Sequence, residues 1–399
     1  MGKEITMVTL KIIFWTFLLL VFYSYIGYGI LLLLLVKMKE MFAKKDIMVE
    51  IEDYEPEVTL FVTAFNEKDF VDLKLKNSFS LDYPKEKVRY VWITDGSDDG
   101  TPDLLRKYEG VEVYHQPERA GKIAAMNRGM KFVKTPVVIF SDGNTMLGSE
   151  SIRRIVKLFR NPKVGCVSGE KRIFLKNTSA ATEGIYWKYE SKLKQLDARL
   201  YSVVGAAGEL FALRTELFSP IEKDTLLDDF IISLRIAEQG YIIQYDPEAY
   251  AIENPSANVK EELKRKIRIS AGGIQSIIRL KELLNPFKYG ILSFQYISHR
   301  VLRWTLAPLG LPIIFLCNLA ISFLTGIFDF SNIYTWFFWG QILFYTITIL
   351  GWYLEERKIK IKIFYVPYYF FIMNLAVYLG FFRYIKKQQS VNWERAKRG

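Results

Sequence analysis

Long apolar runs lie at both ends of the chain, and mixed polar and apolar sequence lies between them. Residues 7–36 carry a single charge, Lys11, and three further apolar runs follow the mixed stretch at 304–324, 333–354 and 363–382. A transmembrane helix needs about 20 apolar residues, so each run is long enough to cross a bilayer. We expect the first run to be a retained anchor, because it lacks the short apolar core and small-residue cleavage site of a signal peptide.

The middle of the chain alternates short apolar runs with amphipathic stretches. Helical patterns separate these runs, which predict β-strands at 58–65, 88–97, 111–116 and 136–144. Such alternation is typical of an α/β fold with a mostly parallel sheet and helices on both faces. Ligands bind these sheets beyond the carboxyl ends of the strands. Polar residues follow three of the strands, at 66–67, 95–101 and 141–145. We expect one crevice to collect all three clusters.

The distribution of charged residues predicts how the chain is oriented in the membrane. The formal net charge is +11, and basic residues crowd the flanks of the apolar runs. A basic protein attracts nucleic acid, but this placement favours membrane lipids as the partner and no nucleic acid. The basic loop at 37–45 belongs inside. The expected domains are therefore a transmembrane anchor (1–40), a cytoplasmic domain (41–284), and interfacial and transmembrane helices with a basic tail (285–399).

The last apolar run, 363–382, conflicts with this topology. If it crosses the bilayer, the basic tail that follows it lies outside, against the positive-inside rule. Pro367 and several tyrosines favour an interfacial or broken helix instead, and we favour a cytoplasmic tail. The two cysteines lie far apart in sequence and there are only two histidines, so we expect neither a disulfide framework nor a histidine metal cluster.

The residues after the predicted strands suit a nucleotide and a cation. Asn66, Glu67 and Asp95 offer hydrogen-bonding groups for a base and a ribose, with a simple turn as the alternative. Asp142 and Asn144 directly follow a strand. Their oxygens suit Mg²⁺, which is often held by one or two carboxylates plus substrate phosphates. An Asx turn is the alternative at this position.

Two pairs of basic residues suit a diphosphate. Arg119 and Lys122 lie around a predicted helix start, where phosphate is favoured, although such residues are also common on solvated faces. Arg265 and Arg268 are three apart and lie on one helix face. A membrane-surface role is the alternative for this second pair.

Two adjacent aspartates, Asp228 and Asp229, open a segment of helical period. The helix dipole favours one acid at this position, but the second repels the first. A neighbouring like charge raises proton affinity. A raised proton affinity suits a general base.

The ordered motifs "VTAFNE", "ITDGSDDGT", "AGKIAAMNRG", "SDGNT", "LLDDFIISLRIAEQGY" and "RKIRI" resemble those of family 2 glycosyltransferases of the GT-A fold. With its apolar runs, the chain looks like the membrane-integrated synthases of cellulose, hyaluronan and poly-N-acetylglucosamine. The resemblance implies an inverting enzyme that uses Mg²⁺ or Mn²⁺. It would transfer a sugar from a UDP-sugar to a growing β-linked polysaccharide, from a cytoplasmic GT-A domain.

The resemblance also implies roles for individual residues. Asp229 would be the general base, with Asp228 beside it, and the metal would bind Asp142 and Asn144. Acceptor contacts would come from Glu209 and from Trp393, which requires a cytoplasmic tail. The expected nucleotide-sugar contacts are Asn66, Glu67, Asp95, Arg119, Lys122, Asp142, Arg265 and Arg268.

The chain departs from the family motifs at three positions. Asn144 replaces the second acid of Asp-x-Asp, which lowers the expected metal affinity. Leu227-Asp228-Asp229 stands for Thr-Glu-Asp, so two acids are kept. Ile269 stands where the arginine motif has a tryptophan, which puts in doubt a stacking contact with the acceptor and therefore processivity.

Three functions follow as hypotheses. The first is a polysaccharide synthase that threads its polymer through its own helices. The second is a non-processive transferase that adds one sugar to a membrane lipid. Three or four spans make a thin channel, which favours the second unless the protein forms a homo-oligomer or has a secretion partner. The third is an inactive membrane scaffold or transport component, although intramembrane charges, which would mark a transport path, are missing inside 304–324 and 333–354.

Overall fold

The computed structural model describes residues 2–42, 54–173, 180–254, 259–357, 359 and 361–388. The chain begins with one long rod, in which α1 (Gly2–Phe22) and α2 (Tyr28–Phe42) are joined by the π-helical turn Tyr23–Gly27. In this turn the N–H of Tyr28 donates to the carbonyl of Tyr23 instead of the carbonyl of Ser24. Such π-helical turns occur frequently at functional sites.

A mixed eight-stranded sheet forms the centre of the domain that follows. Its strands are β1 (Val58–Ala64), β2 (Val88–Asp95), β3 (Val111–Gln116), β4 (Val137–Asp142), β5 (Met146–Leu147), β6 (Val164–Ile173), β7 (Leu210–Arg214) and β8 (Ile242–Glu253). They lie in the order β3-β2-β1-β4-β7-β6-β8-β5, and the first four are parallel to one another. The predicted fold class and the four predicted strands are confirmed.

The register of the parallel strands brings their carboxyl ends to one edge. Thr63 of β1 lies opposite Ile93 of β2 on one side and Asp142 of β4 on the other. The polar segments that follow these strands therefore leave the sheet side by side, as the sequence predicts.

Helices cover both faces of the sheet. They are α3 (Lys68–Phe79), α4 (Thr101–Leu105), α5 (Lys122–Gly129), α6 (Ser151–Leu158), α7 (Ala180–Leu200), α8 (Asp228–Glu238) and α9 (Val259–Arg279). Alternate strand residues point to opposite faces. Phe61 therefore joins the core under α5 and α8, whereas Leu60 joins the core under α3 and α6.

The last third of the chain is helical. It contains α10 (Pro286–Tyr289), α11 (Ile291–Tyr296), a second π-helical turn (Ile297–Val301), α12 (Leu302–Trp304), α13 (Leu306–Thr325), α14 (Ile333–Glu356) and α15 (Lys362–Ile385). Within the described part of the chain, four helices are long and apolar enough to cross a membrane: the first rod, α13, α14 and α15. All four predicted apolar runs are therefore helices.

Helix α15 lies near the end of the bundle that faces the sheet domain. Its first turns pack on the last turns of α14, where the Gly351 backbone approaches the Phe364 carbonyl. Its second half reaches the start of α13, where the Tyr378 hydroxyl donates to the Pro308 carbonyl at 2.6 Å. Since α13 and α14 run antiparallel, both contacts are at one end of the bundle. This supports an interfacial position for α15.

The helix is continuous through Pro367, so the alternative of a broken helix is wrong. The tail 389–399 lies outside the described residues, and its cytoplasmic location stays a prediction.

Candidate active site

A cavity of about 1020 Å³ lies where the sheet domain meets the membrane helices. Apolar side chains of the first rod and of α15 line its membrane side, among them Ile26, Val366 and Phe370. Predicted site residues line its other side: Lys122, Asp142, Glu209, Asp228, Asp229, Arg265 and Arg268. Residues from five separate segments of the sequence thus converge on one space.

Lys122 connects the acids of two of these segments. Its Nζ atom lies 3.0 Å from Oδ1 of Asp142 at the end of β4 and 3.2 Å from Oδ2 of Asp228 at the start of α8. Burial opposes the charge of Lys122, but the two carboxylates outweigh burial and raise its pKa. The lysine is therefore a firmly charged group, suited to contact a diphosphate.

Asp229 has the protonation properties of a general base near neutral pH. Burial and the adjacent Asp228 raise the pKa of Asp229 to about 7. Burial is the larger cause, whereas the sequence pointed only to the like charge of its neighbour. Gly208 leaves room for this side chain, because a Cβ atom there would lie 3.1 Å from Oδ2 of Asp229. The carboxyl therefore faces the cavity against a bare segment of backbone.

The Asp142–Asn144 segment fits a divalent cation that takes most of its ligands from a substrate. Oδ1 of Asn144 is buried and has no hydrogen-bond partner among the described residues. Across all the described residues, no three His, Cys, Asp or Glu side chains group as a metal site. Mg²⁺ and Mn²⁺ suit oxygen ligands, and Mg²⁺ commonly uses one or two carboxylates plus substrate phosphates. One carboxylate and one amide oxygen therefore meet this requirement.

Arg268 is a half-buried cation that could bind an anion in the cavity. Among the described residues it makes no hydrogen bond or ion pair, although it lines the cavity with the catalytic candidates. Burial and the neighbouring Arg265 lower its pKa. Arg265 itself lies 3.4 Å from Glu262 and 3.9 Å from Glu209. Of the two arginines in this motif, Arg268 is the one whose charge a ligand would compensate.

The four remaining residues predicted to contact the nucleotide sugar lie at the edge of the sheet: Asn66, Glu67, Asp95 and Arg119. Asp95 is 5% exposed, and its Oδ2 accepts from the backbone N–H groups of Ala120 and Gly121 at 3.0 and 2.6 Å. This contact links the end of β2 to the residue before Lys122. Gly96 has a φ of +70°, and any side chain there would clash with Arg119.

The loop after β1 completes this edge. Asn66 takes a left-handed backbone conformation, and its side chain exchanges two hydrogen bonds with Asp98. Glu67 is buried, and its side chain packs beside Gly143 in the candidate metal loop. Arg119 is exposed and lies over the ring of Phe65 at 3.7 Å. The residues predicted to contact the nucleotide therefore lie next to Lys122 and the Asp142–Asn144 segment.

Sequence reasoning missed the partners of Glu209. Lys171 donates to Glu209 at 2.5 Å and also to Glu253, and both new residues line the cavity. Lys171 holds the pKa of Glu209 well below its usual range, against the opposing effect of burial. The two acids lie 38 and 82 residues from Lys171, so no periodicity in the sequence relates them.

The sequence raised two questions about tryptophans, at Ile269 and at Trp393. Ile269, which stands in place of the motif tryptophan, lines the cavity. Trp304 supplies an aromatic ring in the same wall, where it packs against α9 at Gly273. The ring of Trp304 meets that of Phe230, the residue after Asp229, at 5.3 Å. Trp393 lies outside the described residues, and its proposed role stays a prediction.

Residues 56–272 match the family described as "Glycosyltransferase like family 2". The matched segment is more than half of the 399 residues. It contains β1 to β8 and every predicted site residue except Trp393.

Curated relatives match over about the same region. The chain is 25% identical over 234 residues to poly-beta-1,6-N-acetyl-D-glucosamine synthase from Staphylococcus aureus, which is 56% of each protein. It is 27% identical over 203 residues to beta-monoglucosyldiacylglycerol synthase from Nostoc sp., which is 47% of this chain and 42% of that protein. The match thus spans about half the length of these relatives.

The fold as a whole has a solved counterpart. The mannosyltransferase PcManGT from Pyrobaculum calidifontis, solved in complex with GDP-Man and Mn²⁺, superposes with a TM-score of 0.68 at 21% identity. The alignment covers 95% of this chain and 100% of that protein. At this identity, the likeness shows a shared fold.

Proposed function

The chain belongs to glycosyltransferase-like family 2, and from this premise we propose that it transfers a sugar from a UDP-sugar to a hydroxyl group of a membrane lipid, with inversion at the anomeric carbon. The observation that carries the proposal is the cavity. It extends from Asp229 to Ile26 and Val366, which are 54% and 46% exposed on two apolar helices. An acceptor with its tail in the bilayer can therefore reach the acids.

The donor binds at the edge of the sheet and at the basic wall of the cavity. The loops after β1 and β2 receive the nucleoside, and Lys122 and Arg268 bind the diphosphate through charge-assisted hydrogen bonds. Asp142 and Asn144 would hold Mg²⁺ or Mn²⁺, and the cation would supply charge that offsets the growing negative charge of the leaving diphosphate. Metal dependence is part of the proposal.

Asp229 acts as the general base. It takes the proton of the acceptor hydroxyl as that oxygen forms its bond to the anomeric carbon. The bond from the same carbon to the diphosphate breaks, and the UDP leaves with its electron pair, offset by Lys122 and Arg268. One direct displacement gives a β-linked product from an α-linked donor.

A growing polysaccharide is the second candidate acceptor. Aromatic side chains in the wall, Trp187 and Trp304, are able to stack on sugar rings, and the Staphylococcus aureus relatives are named as synthases of such a polymer. With the four candidate spans of the described residues, a polymer would need a homo-oligomer or a secretion partner to leave the membrane. The geometry supports the lipid more directly, because the cavity already opens between two apolar helices.

The proposal places the protein in the plasma membrane with residues 41–284 as a cytoplasmic GT-A domain. Purified full-length protein with Mn²⁺ and labelled UDP- and GDP-sugars, in vesicles of total membrane lipid, tests it. We expect label from one UDP-sugar in the organic phase, with one sugar per lipid. High-molecular-weight product supports the polymer instead. No turnover with any donor, and an Asp229→Asn variant that behaves like the parent, would support an inactive scaffold.

A further inference from the structure

Two arginines line the cavity between the catalytic acids and the membrane helices, and the proposed reaction does not use them. Arg300 lies in the π-helical turn Ile297–Val301, and Arg303 lies in α12. We propose that Arg300 and Arg303 form a subsite for a phosphate group in the head group of the acceptor lipid. This rests on the proposed function, since it takes the acceptor to be a lipid.

The two guanidinium groups share one carboxylate. Nη1 of Arg300 lies 3.4 Å from Oε2 of Glu190, and Nη1 of Arg303 donates to Oε1 of the same residue. Glu190 is 2% exposed, and it lines the cavity with both arginines. Arg303 makes the closer contact with this carboxylate, so the more distant Arg300 keeps positive charge at the surface of the cavity. A phosphate would compensate that charge, whereas a neutral glycerol or sugar would not.

A buried network behind the arginines fixes Glu190. His299 lies between two acids, with Nε2 3.3 Å from Glu190 and Nδ1 2.6 Å from Asp197. Asp197 is fully buried and also accepts from Tyr28 and Gln295, so donors on the side away from the cavity satisfy it. The network therefore orients Glu190 towards the arginines, while Asp197 is bound by its own donors.

Arg300 has capacity to bind a further acceptor atom. Its two hydrogen bonds are long, 3.4 Å to Glu190 and 3.5 Å to the carbonyl of Val204. Among the described residues, its Nη2 atom makes no hydrogen bond. A phosphate presents oxygens that a guanidinium group binds side-on with two short bonds, a geometry that a single hydroxyl does not offer.

Arg303 fixes the height of the subsite relative to the bilayer. Its Nε donates at 2.9 Å to the carbonyl of Ser24, in the π-helical turn of the first rod. Its guanidinium lies 5.9 Å from the ring of Tyr25, and the next residue, Ile26, is exposed at the cavity opening. A lipid whose phosphate binds at this position would have its apolar tail beside Ile26.

Trp304 lies beside the subsite in the wall of the cavity. Its ring lies 6.0 Å from the guanidinium carbon of Arg300 and 5.3 Å from the ring of Phe230, which follows Asp229. Arg300, Trp304 and Asp229 line the same cavity. This arrangement suits a head group in which a phosphate precedes a sugar that carries the acceptor hydroxyl.

The test uses the full-length protein in detergent and lipid with labelled UDP-sugar. Two synthetic acceptors carry the same prenyl tail and the same terminal hexose, joined by a phosphodiester in one and by an ether in the other. The variants are Arg300→Gln and Arg300→Lys. Arg106→Gln is the control, since the Arg106 side chain is 53% exposed and does not line the cavity.

We expect kcat/KM of the parent to be about tenfold or more higher for the phosphodiester, as loss of a hydrogen bond to a charged group predicts. Arg300→Gln should remove this preference by raising KM for the phosphodiester alone, with the donor KM unchanged. Arg300→Lys should keep part of the preference, and Arg106→Gln all of it.

Equal kcat/KM for the two acceptors, or an equal loss on both in Arg300→Gln, overturns the subsite and leaves the lipid acceptor standing. Labelled polymer without labelled lipid contradicts the proposed function and this inference together. Prenyl phosphate and inorganic phosphate are then compared as competitors at one concentration. Competition by prenyl phosphate alone supports the subsite. Equal competition by both assigns the arginines to a soluble anion and overturns the lipid assignment.

Discussion

The ammonium group of Lys122 lies 3.0 Å from Oδ1 of Asp142, at the point where β4 leaves the sheet. The same nitrogen lies 3.2 Å from Asp228 in the first turn of α8. Burial and Asp228 raise the pKa of the next residue, Asp229, and Lys122 lowers it. The candidate metal loop, the proposed diphosphate contact and the proposed base are therefore linked through the charge of one lysine.

Lys122→Met should weaken donor binding and make the base less acidic. Without the ammonium group, the pKa of Asp229 should rise, and the pH at which activity is half-maximal should rise by about one unit, which corresponds to about 1.4 kcal/mol of charge interaction. The measurement is kcat/KM for the donor as a function of pH. Lys131→Met, an exposed lysine just after α5, is the control. An unshifted pH profile in Lys122→Met would contradict the link.

Activity of the parent protein should rise with pH through about 7 and level off above it. Asp229 accepts a proton only when it is ionised, and the folded environment raises its pKa to about 7. Below that pH the ionised fraction falls about tenfold per unit, and the rate should fall with it. The measurement is kcat at saturating donor between about pH 5 and pH 9. A profile that stays flat across this range would exclude Asp229 as the base.

Asp229→Asn should lower kcat about a hundred- to ten-thousandfold, the range for general acid–base catalysis, and should stabilise the protein above pH 7. Between the usual pKa of an aspartate and about 7, the folded state binds more protons than the unfolded state, so stability falls as pH rises. The amide removes this loss. We expect a Tm higher by about 2 to 4 °C at pH 8, equivalent to about 1 kcal/mol.

Thermal unfolding of the parent and of Asp229→Asn at acidic and alkaline pH tests whether the substitution raises or lowers Tm. The difference in Tm should shrink at a pH where the parent carboxyl is protonated. A lower Tm for Asp229→Asn at pH 8 would show that the ionised carboxylate stabilises the fold instead.

The fold and the acidic centre were predictable because their signals are local. Each of the first four strands is a short apolar run, and the polar residues that follow, such as Asp95 and Asp142, lie at one edge because parallel strands share a direction. The helix start at Asp228 is also local. The sequence therefore predicted which segments meet around Asp229.

The rest of the site depends on contacts between distant residues. Glu190 and Arg303 are 113 residues apart, and Lys171 and Glu253 are 82 apart. A helix or strand period relates neighbours only, so no pattern identifies such pairs. Arg300 and Arg303, three apart just before an apolar span, were the available signal for the membrane side of the cavity. The position of α15 is set by its contacts with α9, at Gly380, and with α14, at Gly351, which hydropathy does not reveal.

Asn144→Asp should lower the metal concentration that supports half-maximal activity. The buried Oδ1 of Asn144 already lacks a partner among the described residues, and a carboxylate there adds a charged oxygen ligand for a divalent cation. We expect about a tenfold lower requirement for Mn²⁺ or Mg²⁺, the scale of one charge-assisted contact. Activity is measured against free metal after chelation. Asn161→Asp, an exposed position, is the control, and an unchanged metal requirement would exclude Asn144 as a ligand.

Arg268→Gln should raise KM for the nucleotide sugar about ten- to a hundredfold, with a smaller effect on KM for the acceptor. Arg268 is half-buried without a hydrogen-bond or ion-pair partner among the described residues, and Arg265 adds like charge beside it. Binding of a diphosphate removes this unfavourable state, and one hydrogen bond between charged groups contributes about 1.5 to 3 kcal/mol. Arg268→Lys should recover part of the affinity, since it keeps the charge but not the side-on geometry.

The same substitution should stabilise the protein without donor, because burial and the like charge of Arg265 outweigh the attraction of Asp142, Asp228 and Asp229 for the charge of Arg268. Stabilisation by added UDP should then be weaker in Arg268→Gln than in the parent, because less binding energy is linked to folding. Lys260→Gln, on the exposed side of α9, should change neither quantity. If Arg268→Gln destabilises the protein and binds UDP as tightly as the parent, Arg268 supports the fold and the diphosphate is bound by Lys122 and its neighbours.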